Sequence, residues 1–299
     1  MSRPSFFIVG APKCGTTALY HALLKHPSLF LPHSDDADLY WKHKEPFHFC
    51  SDLGIAEWLR VDKEADYLQL FDAAAPAQIA GEASALNLFS QEAPERIHQF
   101  TGGEAKIIIM LRSPVTWMRS WHHDLLVYGY EDLTNFEDAL AAGPERDRGR
   151  RLPRRAAFSG CLNYRRLAHF SPFIQRYRDI FGDEQVALVD LQELNADPAA
   201  VLKRLFRFLG IEEGPLPSLE RENDSSTLPA THHLDLMVNR LLARLPGGRH
   251  LIANLPRKLY RASTAWLPPL SDKSIDPALR KDLEDEFAEE TSLLRQLCA

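Results

Sequence analysis

Two short stretches carry the residue types that grip a small anion. The first runs Gly10-Ala11-Pro12-Lys13-Cys14-Gly15-Thr16-Thr17. Glycines allow a tight turn and a close approach of backbone N–H groups to negative charge. A helix starting at Thr16 or Thr17 adds unpaired N–H groups and the positive end of its dipole. Lys13 supplies a mobile point charge, and Thr16 and Thr17 supply hydroxyl donors. The second stretch is Arg112, with Ser120 eight residues further on. Arg112 offers a forked pair of donors suited to phosphate, and Ser120 offers a hydroxyl. The nucleoside-triphosphate loop pattern GxxxxGK[ST] is matched only in its glycines, Gly10 and Gly15. Thr16 stands where the lysine belongs, and Lys13 comes three places earlier. That weakens a magnesium-triphosphate reading and favours an anion held without an obligatory metal.

Both stretches follow segments that read as buried strands. Phe6 to Val9 is a short apolar run, and the glycine loop and a helical pattern with Leu19, Leu23 and Leu24 come next. Lys106 to Leu111 is continuously apolar after its first residue, as a parallel strand covered on both faces should be. Pro114 then suits the first turn of a helix from about Val115 to Leu126. Val186 to Val189 reads as a third strand and Ile79 to Glu82 as a shorter one. Asp197-Pro198 opens an amphipathic helix that Gly210 caps. Repeated strand–helix units predict an α/β fold: a three-layer sandwich with a central, mostly parallel sheet flanked by helices. Ligands of such sheets collect at the carboxyl ends of the strands, where both anion grips lie.

The chain of 299 residues is expected to form a single domain over 1–299, with a mainly helical C-terminal portion from about residue 214. Its net charge of −6 argues against nucleic acid as a partner. The four cysteines are scattered, and no metal-ligand spacing occurs, so neither a disulfide framework nor a bound metal is expected. No apolar run is long enough for stable membrane insertion, and a cytoplasmic setting is expected. Residues Gly143 to Arg155 include six arginines and read as a loop or lid. Pro277 to Leu297 reads as a surface helix with an acidic face. The oligomeric state is left open.

Taken together, FFIVGAPKCGTTALYHAL, KEPFHF and KIIIMLRSPVTWMRSW resemble the motifs of sulfotransferases that use 3'-phosphoadenosine 5'-phosphosulfate. SGCLNYRRLAHFSPFIQRYRDIFGDEQVALVDLQELNADPAAVLKRLFRFLG resembles the second half of that family's core. The likeness runs from Phe6 to Gly210 and leans toward the heparan-sulfate-type and bacterial small-molecule branches. It implies a P-loop-like fold and sulfuryl transfer to a hydroxyl or amine of a small molecule or glycan. It implies that Lys13, Gly15, Thr16 and Thr17 hold the 5'-phosphosulfate, with Gly10 and Cys14 in the same loop, and that Arg112 and Ser120 bind the 3'-phosphate. It makes Glu45 the catalytic base, on an acidic strand. Tyr164 would line the cofactor, and Lys273 would match a late cationic loop over the 3'-phosphate.

Two points depart from the family pattern. Phe47 is inserted before His48, so on a strand His48 faces away from Glu45. His122 and His123 are further acid–base candidates. The lysine that many relatives carry near Glu82-Ala83-Ser84 is absent, which leaves Lys42 or Lys44 to supply charge at the acceptor. Tyr128, Tyr130, Trp121 and Phe158 read either as lining for an apolar acceptor or as core. A nucleotide kinase and a non-catalytic nucleotide-binding scaffold remain the alternatives.

Overall fold

The computed structural model describes residues 2–214, 227–229, 269–271 and 275–298. Five parallel strands form one sheet: β1 (Phe6–Gly10), β2 (Leu29–Phe30), β3 (Ile79–Glu82), β4 (Lys106–Leu111) and β5 (Val186–Asp190), in the order β2-β3-β1-β4-β5. β1 is buried at every position, and only Lys106 of β4 is not. This is the unalternating pattern of strands covered on both faces. Full burial of side chains such as Phe6, Phe7, Ile8 and Ile108 contributes roughly 1.5–3 kcal/mol each.

Three helices bear on the site. α1 (Thr16–Leu24) follows β1 directly, α2 (Ala37–Lys44) follows β2, and α3 (Pro114–Val127) follows β4 with Pro114 in its first turn. The Asp197–Gly210 expectation is met: the Asp197 carboxylate accepts from the Ala200 N–H, and Gly210 caps the Pro198–Leu209 helix at φ +73°.

From β1 the chain crosses to the edge strand β2 and returns inward to β3, then passes to the other side of β1 for β4 and β5. The carboxyl ends of β1 and β4 therefore flank the point where strand order reverses, the usual crevice for a ligand in an open α/β sheet. A register shift between Ile8 and Gly10 bends β1 just before its loop. Gly10 and Gly15 both have positive φ. A Cβ on Gly10 would come within 2.6 Å of Leu88 Cβ, and one on Gly15 within 2.7 Å of Leu191 Cδ1. Gly10 thus requires glycine on steric as well as backbone grounds, whereas at Gly15 the left-handed backbone is what favours glycine.

Three expectations are corrected. The stretch holding Glu45 is not a strand: α2 precedes it, and Glu45 lies one residue past that helix, where Pro46 stops continuation. The closing acidic helix is two helices, Pro277–Glu286 and Ala288–Cys298, which pack through the buried Leu283, Phe287 and Leu294. Arg146 is no lid residue. It ends a short helix, Gly143–Arg146, with its guanidinium buried. Among the described residues no helix is long and apolar enough to cross a membrane. The C-terminal portion expected to be helical from 214 lies mostly outside the described residues, as does Lys273.

Candidate active site

The loop after β1 is fixed by contacts to the strand and helix beside it. The Ala11 N–H donates to the Met110 carbonyl (2.8 Å), and the Trp117 indole donates to the Pro12 carbonyl (2.8 Å). Arg112, at the end of β4, donates to the Lys13 carbonyl at 3.0 Å. The side chain of one predicted cationic residue therefore holds the backbone of the other. Lys13 holds a left-handed φ of +63°, a conformation that costs a non-glycine residue of order 1 kcal/mol and needs such bracing. Its ammonium lies 2.6 Å from Asp124 Oδ1. Asp124 is one helical turn beyond Ser120 on α3, so the same helix carries Lys13's partner and the predicted phosphate hydroxyl.

Cys14 sits in this loop with its side chain in the core. Burial pushes its thiol up to about 12, and its N–H donates to the Ala11 carbonyl. Gly15 leads into α1 with no side-chain cap, so the first amides of α1 rely on other acceptors. Thr16 is buried and Thr17 half-buried at that same helix start.

Glu45 is linked to this loop through Ala85. Its Oε2 accepts from the Ala85 N–H at 3.3 Å, and the Ala85 carbonyl lies 2.7 Å from where a Gly10 Cβ would stand. Its Oε1 is 2.6 Å from Lys44 Nζ. Of the two lysines expected to supply charge here, Lys44 is the one that does. Its side chain is fully buried, with the ammonium over the rings of Trp41 (5.5 Å) and Tyr20 (5.8 Å), whereas Lys42 is exposed. An ammonium withdrawn from water needs a countercharge, and Glu45 provides it.

The remaining candidates point elsewhere. His48 is buried and donates from Nδ1 to the Val61 carbonyl (2.7 Å) while stacking on Tyr67 at 4.3 Å; burial lowers its pKa. His122 is buried and donates from Nε2 to the Leu133 carbonyl (2.8 Å); burial pushes its pKa down to about 4. Neither ring faces Glu45 or Lys13 through any such bond. Tyr164 is fully buried and donates to Glu131, which also takes a bidentate pair of bonds from Arg146 at 2.7 and 2.8 Å. Burial and Glu131 together raise the Tyr164 phenol well above its ordinary value. Tyr164 is thus part of a buried polar cluster beneath α3.

Asp124 escaped the sequence reading. The available signal was its i+4 spacing from Ser120, but its partner Lys13 is 111 residues away. Among the described residues no three His, Cys, Asp or Glu side chains converge to hold a metal ion.

The chain is 30% identical over 223 residues to the mouse bifunctional heparan sulfate N-deacetylase/N-sulfotransferase 4, which covers 70% of this chain and 22% of that protein. It is 26% identical over 259 residues to mouse carbohydrate sulfotransferase 15, covering 71% and 44% respectively. The chain thus spans under half the length of these relatives. A solved sulfotransferase from Alicyclobacillus acidocaldarius superposes with a TM-score of 0.59 at 30% identity, over 87% of this chain and 100% of that one. The sulfotransferase domain family matches residues 3–226, a span containing the glycine loop, Glu45, Arg112 and Ser120. With three quarters of its length matched, the chain belongs to the sulfotransferase domain family.

Proposed function

We propose that this protein transfers a sulfuryl group from 3'-phosphoadenosine 5'-phosphosulfate to a hydroxyl or amine of a small molecule or glycan. The observation that carries the reading is the bond from the Arg112 guanidinium to the Lys13 carbonyl, which ties the arginine after β4 to the backbone of the glycine loop after β1. The donor set suits a nucleotide with phosphate at both ends. Lys13, Thr16, Thr17 and the first amides of α1 would hold the 5' end, and Arg112 and Ser120 the 3'-phosphate. When bound, the nucleotide supplies an activated sulfuryl group on a mixed anhydride.

The chain's own residues then have defined tasks. Lys13 balances the charge that grows as the phosphate departs, acting from a fixed position rather than from water. Glu45 receives the acceptor's proton on a carboxylate oxygen. Lys44 and the Ala85 N–H each fix one oxygen of that carboxylate, leaving each a second lone pair for the acceptor. Asp124 aims Lys13.

Calorimetric titration tests this reading. Saturable binding of 3'-phosphoadenosine 5'-phosphate, stronger than that of magnesium–ATP, is expected. Glu45→Gln should keep that binding while turnover falls about 10²- to 10⁴-fold, the usual worth of a positioned base. Tight magnesium–ATP binding with no response to the bisphosphate would overturn the assignment.

A further inference from the structure

We propose that Glu82 is a positioning residue for the reaction, its buried carboxylate shaping the turn after β3 that holds Glu45 and Phe47 in place. The inference rests on the proposed sulfuryl transfer and adds the group that fixes its base. Glu82 is the last residue of β3, paired across the sheet with Phe7 of β1, and is 1% exposed. Its Oε1 accepts from the Ser84 N–H (3.2 Å) and the Asn87 side-chain amide (3.3 Å), and its Oε2 from the Tyr67 hydroxyl (2.6 Å). All three donors are neutral. Glu131, comparably buried, has Arg146 as countercharge, whereas among the described residues no cation pairs with Glu82. Burial accordingly raises the Glu82 pKa. Stability alone would favour an apolar residue at this position. What the carboxylate supplies is geometry.

Both oxygens lead to the segment that carries the base. On the Oε1 side the two donors come from the start and the end of one turn, which the Asn87 N–H also closes on the Ser84 carbonyl (3.1 Å). That turn provides Ser84 Oγ, which accepts from the Phe47 N–H (3.0 Å), and the Ala85 N–H, which donates to Glu45 Oε2 (3.3 Å). On the Oε2 side the ring of Tyr67 stacks on that of His48 at 4.3 Å, and His48 is tied in turn to the Val61 carbonyl. Glu45, Phe47 and His48 are thus fixed from one buried carboxylate through three separate contacts. The same turn touches the glycine loop, since the Ala85 carbonyl lies 2.7 Å from where a Gly10 Cβ would stand. A shift of the turn would therefore move the base relative to the anion grip, and a displacement of about 1 Å can cost about 10²-fold in rate.

The test uses the full chain, with sulfate release from the donor to water as the rate probe and amide hydrogen exchange as the structural one. In the release step the water oxygen bonds the sulfur, the bond from sulfur to the phosphate oxygen breaks, and Glu45 takes the proton. Glu82→Met keeps bulk but offers no oxygen. Exchange at Phe47 and Ala85 should therefore quicken at least about tenfold, while Ile108 in β4 exchanges as in the parent. Release should slow about 10- to 100-fold, with the Kd of 3'-phosphoadenosine 5'-phosphate within about twofold. Glu82→Gln, which keeps an acceptor for Ser84 and Asn87, should recover most of both losses. The proposal falls if Glu82→Met releases sulfate at the parental rate, if its Phe47 and Ala85 amides stay protected, or if Glu82→Gln is as slow as Glu82→Met. Should Glu82→Met no longer bind the nucleotide, Asn87→Ala, which removes one donor and leaves the carboxylate in place, takes over the test. Parental exchange and rate in that variant would overturn the proposal. Failure of the parent to bind the nucleotide or release sulfate would instead sink the proposed activity, while the exchange comparison would still decide whether Glu82 holds the turn.

Discussion

Replacing Arg146 with methionine should destabilise the protein severely while sparing nucleotide binding. Both partners of the Arg146–Glu131 pair have fully buried side chains. Glu131 also accepts from the Asp132 and Leu133 N–H groups at 2.8 and 2.9 Å and from the Tyr164 hydroxyl. Removing the guanidinium leaves the carboxylate buried without its countercharge, a loss of about 3–5 kcal/mol in comparable pairs. At about 2–4 °C per kcal/mol for a chain of this size class, Tm should fall by about 10 °C. Burial alone would raise the Glu131 pKa, but the bonds from Arg146 and Tyr164 outweigh it and hold the carboxyl below its ordinary 4.5. A group so depressed contributes fully above its unfolded pKa and loses that contribution as pH falls through the folded value. The stability gap between parent and Arg146→Met, measured by urea unfolding, should therefore be full at neutral pH and shrink below about 4.5. Adding Glu131→Gln should recover part of the loss, because neither charge is then stranded. A variant that unfolds within about 1 kcal/mol of the parent yet loses ligand binding would refute this reasoning and return Arg146 to a lid.

Two further outcomes follow from the site's electrostatics. Asp124→Asn removes a negative charge 2.6 Å from the Lys13 ammonium, so bisphosphate binding should tighten several-fold at low salt and less at high salt, while kcat drops because Lys13 is no longer aimed. Weaker nucleotide binding at every salt concentration would contradict that role. His122, pushed down to about 4 by burial, takes up its proton more readily unfolded than folded between pH 6.5 and 4. Stability should therefore decline as pH falls through that window, by up to roughly 3 kcal/mol from this group. His122→Gln should flatten the decline in an acid-titrated unfolding series and leave the neutral-pH rate profile in place.

The sheet was readable because its strands are unusually explicit. Phe6–Gly10 and Lys106–Leu111 are unbroken apolar runs, each closed by a breaker and a helix start, and the anion grips fall at their ends by construction. The Lys44–Glu45 step was harder. The Tyr40–Phe49 stretch mixes aromatics and cations with no clean period, and the placing of the Lys44 ammonium over the rings of Tyr20 and Trp41 depends on a tertiary contact to α1 that no local pattern shows. The arginine-rich segment misled for a different reason. A charge run ordinarily faces water, and nothing local distinguishes Arg146 from its neighbours; its partner Glu131 lies 15 residues back across two short helices. The Lys13–Asp124 contact likewise joins two loci that only the sheet brings together.

The central claim is that Lys13 and Arg112 hold opposite ends of one nucleotide. Titrating adenosine 5'-phosphate and 3'-phosphoadenosine 5'-phosphate into the parent, Lys13→Ala and Arg112→Ala tests it directly. In the parent the 3'-phosphate should improve affinity by about 10- to 100-fold, the worth of a charge-assisted contact. That preference should vanish in Arg112→Ala and persist in Lys13→Ala, whose affinity for both ligands falls together. Equal loss of the preference in both variants, or in neither, would contradict the account.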